Sequence, residues 1–254
     1  LVSTVYLFFG EKWKKYCDTA FIVVLLILGV MTYQRNKVWE SDYALWKDSL
    51  EKTPENPRAM INYGFALVKQ DQYNTGIRYY TKAINKDSTI VNAYFNRAIA
   101  QFDLGRYSKA VSDMSRVIDE RKDSEVPYFF RGTSYAHMKK LPEALADLSR
   151  SIELNPTMAE TYKNRGIVYE YAEEYELALA DFSHVLKLDP SNIKMLINRS
   201  KIYYLLDDYP KALEDILYAE RAGLQVDQNY IRMLQIRIAN PSDSIAANRV
   251  IRID

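Results

Sequence analysis

A 34-residue period runs through residues 57–226 and constrains this chain more than any other feature. Small residues mark it: Gly64, Ala98, Gly132, Gly166 and Ser200 stand one period apart. Twelve residues after each comes a second small residue, Gly76, Ala110, Ala144, Ala178 or Ala212. Two small positions per unit at a fixed offset let two helix backbones approach closely, once in every unit. A repeat of this length is one supersecondary unit that cannot bury its apolar face alone, so neighbours must stack. The units fall at 57–90, 91–124, 125–158, 159–192 and 193–226, each reading as helix, turn, helix, with apolar residues at helical spacing in both halves. The turn region carries Tyr73, Tyr107, Leu141, Tyr175 or Tyr209. The second helix places Tyr80, Met114, Leu148, Phe182 or Ile216 at one fixed register, where burial is expected. Pro156 and Pro190 stop the helices that end the third and fourth units. Residues 37–56, with Trp39, Leu45, Trp46 and Leu50, read as an amino-terminal capping helix, and 227–254 as a carboxy-terminal capping helix and tail.

The expected class is therefore all-α. The 8 Gly and 8 Pro are few for 254 residues, which disfavours a β-rich or disordered chain. The 21 Tyr suit helix seams where a ring is buried and its hydroxyl stays wet. A net charge of +1 gives no electrostatic case for nucleic acid. Cys17 is the only cysteine, so no intrachain disulfide is possible. His137 and His184 are the only histidines and fall on different units, and no HExxH, CxxC or glycine-rich phosphate loop occurs. No catalytic constellation, metal site or cofactor site is expected from these residues.

Ahead of the repeats, residues 19–33 read TAFIVVLLILGVMTY without a charge. Fifteen helical residues span roughly 22 Å against a hydrocarbon core of about 30 Å. The run is short for a span unless Trp13, Tyr16 and Trp39 sit at the interfaces and Lys15 and Arg35 snorkel outward. Residues 17–36 are read on that basis as a transmembrane helix; a signal peptide and a buried soluble helix are the alternatives. The apolar residues 1–10 before EKWKK read as the end of an upstream membrane helix. Lys12, Lys14 and Lys15 bias residues 11–15 to the cytoplasm and the repeats to the non-cytoplasmic (periplasmic or lumenal) side.

The repeat residues resemble the tetratricopeptide repeat family. The length, the small eighth place, the alanine at the twentieth, the tyrosine at the seventeenth and the late proline all match. Gly76 replaces the usual alanine in unit one, and Leu224 replaces the proline in unit five. The resemblance implies five helix hairpins in a right-handed superhelical solenoid. Its concave wall would be lined by the first helix of each unit and would hold a protein or extended peptide.

Two columns follow the period on that wall. Asn62, Asn96, Asn164 and Asn198 form one, interrupted by Phe130. Carboxamides offer donor and acceptor and can grip a peptide backbone, similar to the asparagine ladder in the repeats of the nucleocytoplasmic O-linked N-acetylglucosamine transferase. The alternative is bonding to a neighbouring helix. Arg97, Arg131, Arg165 and Arg199 form the second, each sixteen residues before Asp113, Asp147, Asp181 or Asp215. The matched carboxylates favour ion pairs across each hairpin over an anion-binding row. Early units place Ile61, Phe65, Phe95, Ile99, Phe102 and Phe129 toward the groove, and later ones Lys163, Glu170, Lys194 and Lys201. Such an apolar patch is either a partner site or is covered by the chain itself. The lysine and asparagine set of chaperone-binding repeats is not reproduced.

The junction QRNKVWESDYALWKDSLEKTPENPRAMINYG resembles that between the last membrane helix and the repeats in C-type glycosyltransferase-like proteins, of the transmembrane O-mannosyltransferase type. That resemblance implies a non-catalytic carboxy-terminal part which recruits or positions acceptor proteins. The alternative is a single-span scaffold of an envelope or secretion complex.

Overall fold

The computed structural model describes residues 2–240, and every element among the described residues is helical. The chain forms two compact units that divide after Asn96, inside helix α5 (Val91–Asp103). The tail beyond Asn240 and the side chains of Lys12, Trp13, Lys14 and Lys15 lie outside the described residues.

In the first unit, α1 (Val2–Lys37) is one helix that continues through the charged segment at 11–15. Its stretch Tyr16–Lys37 is 22 residues long, has a mean hydropathy of 1.9, and is nowhere buried against the rest of the chain. A short 3-10 turn (Val38–Glu40) leads to α2 (Asp42–Lys52), whose first turn is capped by the Ser41 hydroxyl accepting from the Ala44 amide. Arg35 of α1 reaches Asp48 of α2 at 3.4 Å. Helix α3 (Pro57–Val68) begins with proline at its first position, and the Asn56 side chain accepts from the Arg58 and Ala59 amides. It pairs with α4 (Tyr73–Lys86). At their crossing a Cβ on Gly76 would lie 2.8 Å from the Gly64 carbonyl oxygen and 2.6 Å from Val68 Cγ2. Real Cβ atoms do not approach so closely, so the departure from alanine at this register is dictated by packing.

The second unit contains α6 (Tyr107–Glu120), α7 (Glu125–His137), α8 (Leu141–Leu154), α9 (Ala159–Tyr171), α10 (Tyr175–Leu188), α11 (Lys194–Leu205), α12 (Tyr209–Arg221) and α13 (Gln228–Ala239). Helices α7 and α8, α9 and α10, and α11 and α12 pack as hairpins, with α13 against α12. The small register again explains the approach: a Cβ on Gly166 would meet Phe182 Cε1 at 2.6 Å, and one on Gly132 would meet Leu148 Cγ at 2.9 Å. Ser200 takes this place in the last repeat because its hydroxyl donates to the Ala212 carbonyl at 2.7 Å, across the hairpin. Tyr230 of α13 then donates to the Ser200 carbonyl, which closes the end of the unit. Met114, Leu148, Phe182 and Ile216, one period apart, are all buried, as is Tyr80 in the first unit.

Each hairpin turn repeats as well. Asp71, Gly105, Lys139, Glu173 and Asp207 lie one period apart and share left-handed backbone, with φ between 58° and 69°. The amide of the next residue bonds back to the carbonyl five residues earlier, as in Lys140 to Tyr135 and Glu174 to Tyr169. This is the Schellman ending, and only one of the five turns uses the glycine that suits it. The same device ends α12 at Gly223, with the Leu224 amide bonded to the Ala219 carbonyl. The chain there leaves the repeat through a glycine stop instead of a proline.

Candidate functional site

The arginine column is structural. In α7 the Arg131 guanidinium donates through Nε and Nη2 to both Asp147 carboxylate oxygens, at 2.7 and 2.8 Å. Arg165 to Asp181, Arg199 to Asp215 and Arg97 to Asp113 repeat the fork at 2.7–2.8 Å. The third donor, Nη1, reaches back to the preceding repeat: Arg131 to Ser115 and Arg165 to Ser149 at 3.1 Å, Arg199 to Ser183 at 3.4 Å. One side chain therefore ties three helices. The aspartates are buried, and their hydrogen bonds push the pKa of Arg131, Arg165 and Arg199 up against the opposing effect of burial. With the Nε–Nη2 fork of each arginine filled by an aspartate, the bidentate edge that would grip an anion is already occupied.

The asparagine column is less uniform. Asn164 donates through Nδ2 to the Thr133 hydroxyl of α7 at 3.0 Å, the bond to a neighbouring helix that the sequence left open as an alternative. Asn198 lies 3.9 Å from the Met195 sulfur within its own helix. Asn62 and Asn96 in the first unit are half-buried on α3 and α5.

The apolar candidates divide. Phe65 is exposed at 45%, with the Lys69 ammonium 4.8 Å from its ring centroid. Phe95, in the first unit, and Ile99, in the second, are half-buried. Ile61 and Phe129 are core residues; Phe129 packs with Ala144, Leu148 and Val168 instead of lining an open wall. Phe102 belongs to a self-packed aromatic cluster: its ring meets Phe130 at 5.3 Å and Tyr107 at 5.5 Å, both edge-on. Tyr107 in turn stacks on His137 at 4.3 Å and 3°. The break in the asparagine column at Phe130 is thus filled by a ring that serves this cluster. Lys163 and Lys201 are held by Glu160 and Glu170, so three of the four charged late candidates, Lys163, Glu170 and Lys201, are paired within the chain.

Beside the cluster, α7 and α9 enclose a concave pocket of about 530 Å³. It is lined by Thr133, Ala136, His137, Lys139, Leu141, Asn164, Ile167 and Tyr171. Asn164 alone was expected here. Ile167 and Tyr171 lie three and seven residues after it, on one helical face, and the same face rule applied to α9 finds them. Thr133 and His137 sit one period before Ile167 and Tyr171. The Thr133–Asn164 bond uses one amide hydrogen and leaves Oδ1 as an acceptor. An apolar floor with a few fixed polar groups is the form that ligand pockets take.

The architecture defines a protein built of stacked two-helix repeats. Residues 64–125 and 159–192 match models described as tetratricopeptide repeat, and the repeats of this chain are tetratricopeptide repeats. Repeats of this kind generally bind proteins or peptides. The structure of YrrB, titled a TPR protein with an unusual peptide-binding site, superposes with a TM-score of 0.63 at 21% identity, over 75% of this chain and 97% of that one. PilF of Pseudomonas aeruginosa superposes with a TM-score of 0.64 at 16% identity, over 83% and 94%. These likenesses show the fold. A 99-residue stretch is 24% identical to Protein O-mannosyl-transferase Tmtc3 of Drosophila melanogaster; it covers 39% of this chain and 11% of that protein.

Proposed function

We propose that this chain is a membrane-anchored interaction arm, held in the bilayer by Tyr16–Lys37 of α1, whose repeats bind an extended segment of a protein partner. The observation that carries the binding role is the α7–α9 pocket, where Asn164 and Thr133 set peptide-compatible donors and acceptors over an apolar floor. Support for the anchor is the 22-residue stretch Tyr16–Lys37, whose apolar window is nowhere buried. The distant similarity to an O-mannosyl-transferase supports a place beside glycosyl transfer, as a non-catalytic part that positions acceptor proteins on the non-cytoplasmic side.

The binding role is tested with the chain in lipid nanodiscs. Asn164→Ala is expected to weaken binding of peptides selected on the wild type about fivefold, beyond the small stability loss from the Thr133 bond that the melting temperature reads separately. Equal affinity would remove Asn164 from the site. Orientation is tested at Cys17, which lies at one end of the apolar stretch. A membrane-impermeant maleimide added to sealed vesicles on the repeat side leaves Cys17 unlabelled until the membrane is opened. Labelling in sealed vesicles would reverse the assigned topology or remove the span.

A further inference from the structure

The pocket lining carries its own charge. Its one charged residue is Lys139 and it includes no carboxylate, while Glu170, next in sequence to Tyr171, is held by Lys201 at 2.7 Å. Ala136, Leu141 and Ile167 supply an apolar floor. The neighbouring wall toward α5 is closed by the Phe102–Phe130–Tyr107 cluster, which also fixes His137 by stacking on it. Lys139 occupies the left-handed turn position, with φ 58°, so its backbone is set by the Schellman ending and its Cα cannot drift from the rim.

The geometry points to an acidic-apolar ligand: the pocket seats one aliphatic side chain of an extended peptide, and a carboxylate one or two residues away pairs with Lys139. This rests on the peptide-binding reading and adds the chemistry of the ligand to it. The volume of about 530 Å³ admits a leucine-sized group with the flanking backbone. The Asn164 carboxamide oxygen then accepts from a peptide N–H. A basic peptide would meet the Lys139 ammonium with no carboxylate in the lining to offset it, so the site discriminates by repulsion as well as attraction.

The chain itself supplies well-tolerated variants. Glu173 stands one period after Lys139 with φ 61°, so Lys139→Glu fits the turn. Phe102 stands one period before Ala136, so Ala136→Phe places in the pocket a ring that α5 carries at the same register. The experiment measures fluorescence anisotropy of three labelled peptides against the full chain in zwitterionic nanodiscs. One has leucine flanked by glutamates, one leucine flanked by lysines, and one leucine in glycine and serine. The expected result is that the acidic peptide binds at least tenfold tighter than the basic one. Lys139→Glu reverses that order, and Ala136→Phe removes binding of the acidic peptide. Equal binding of acidic and basic peptides, or tight binding that Ala136→Phe leaves unchanged, overturns the inference while keeping a peptide-binding wall. Absence of binding by all three overturns both.

Discussion

Where repeats two to five set an arginine on the first helix and an aspartate sixteen residues later, repeat one sets Tyr63 and Tyr79 at the same two places. The two rings meet edge to face at 4.9 Å and 84°. The Tyr63 hydroxyl lies 3.2 Å from that of Tyr43 on α2. In repeats three to five the arginine needs a serine from the second helix of the repeat before it. Repeat one follows α2, which carries Lys47 at that serine's register and sets Tyr43 against Tyr63. An edge-to-face pair with one shared hydroxyl contact satisfies that boundary without a buried charge. The ion pair suits interior repeats because three helices supply its partners; a fork short of one partner would leave part of a buried guanidinium unsatisfied.

The largest effect is expected from cutting an interior fork. Arg165→Ala leaves Asp181 buried and unpaired, and is expected to cost about 3–5 kcal/mol in urea unfolding. A loss below 1 kcal/mol would mean that the fork sets register only. Next comes a transplant. Tyr63→Arg with Tyr79→Asp puts the interior pair into repeat one, where α2 carries Lys47 at the serine's register, and is expected to lose about 2 kcal/mol through lost ring burial and the unmet third donor. Wild-type stability would show the two chemistries to be interchangeable.

Alkaline pH separates the regions further. Burial and the Tyr43 contact push the Tyr63 hydroxyl up, and burial pushes up Tyr80. A phenol with a raised pKa contributes stability that is whole below the ordinary value of about 10 and is lost as pH climbs above it. All three tryptophans, Trp13, Trp39 and Trp46, fall in the first unit, so their emission reports on it. Their urea midpoint is expected to drop between pH 8 and pH 10.5, and Tyr63→Phe to reduce that drop. The last repeat shares the liability through Tyr209, whose pKa burial and Asp207 raise to about 12. The arginine forks do not share it, since a guanidinium pKa pushed upward keeps the charge throughout this range.

The smallest effect belongs to the turns. Glu173→Gly relieves a left-handed residue and is expected to stabilise the second unit by about 0.5–1 kcal/mol; Gly105→Ala is expected to cost a similar amount. Thermal unfolding of the two variants reads both signs, and an unstabilised Glu173→Gly would show that this turn carries no strain.

Much of the fold was legible because a solenoid repeats its solution. A column such as Gly64, Gly132, Gly166 or Leu148, Phe182 needs no knowledge of distant residues, only of the period. The arginine–aspartate offset was readable for the same reason. The site was less legible. Phe129 and Ile61 have the residue type of a groove wall yet lie in the core, because one helical step turns a side chain from the concave face to the seam. Phe102 reads as an exposed anchor but finds Phe130 and Tyr107 on neighbouring helices. Lys139 and His137 carried no sequence signal for binding, since polar residues at a helix end are ordinarily solvated.

The sequence by itself determined the number of hairpins, their register and the residues that let their helices touch, because these depend on spacing along one chain. Only the tertiary structure decided which columns face a cavity, that Asn164 spends a donor on Thr133, that Arg131, Arg165 and Arg199 each reach a third helix, and that tyrosines replace the fork beside α2. Those outcomes depend on which side chains from different helices arrive at one point in space, and a linear pattern does not hold that information.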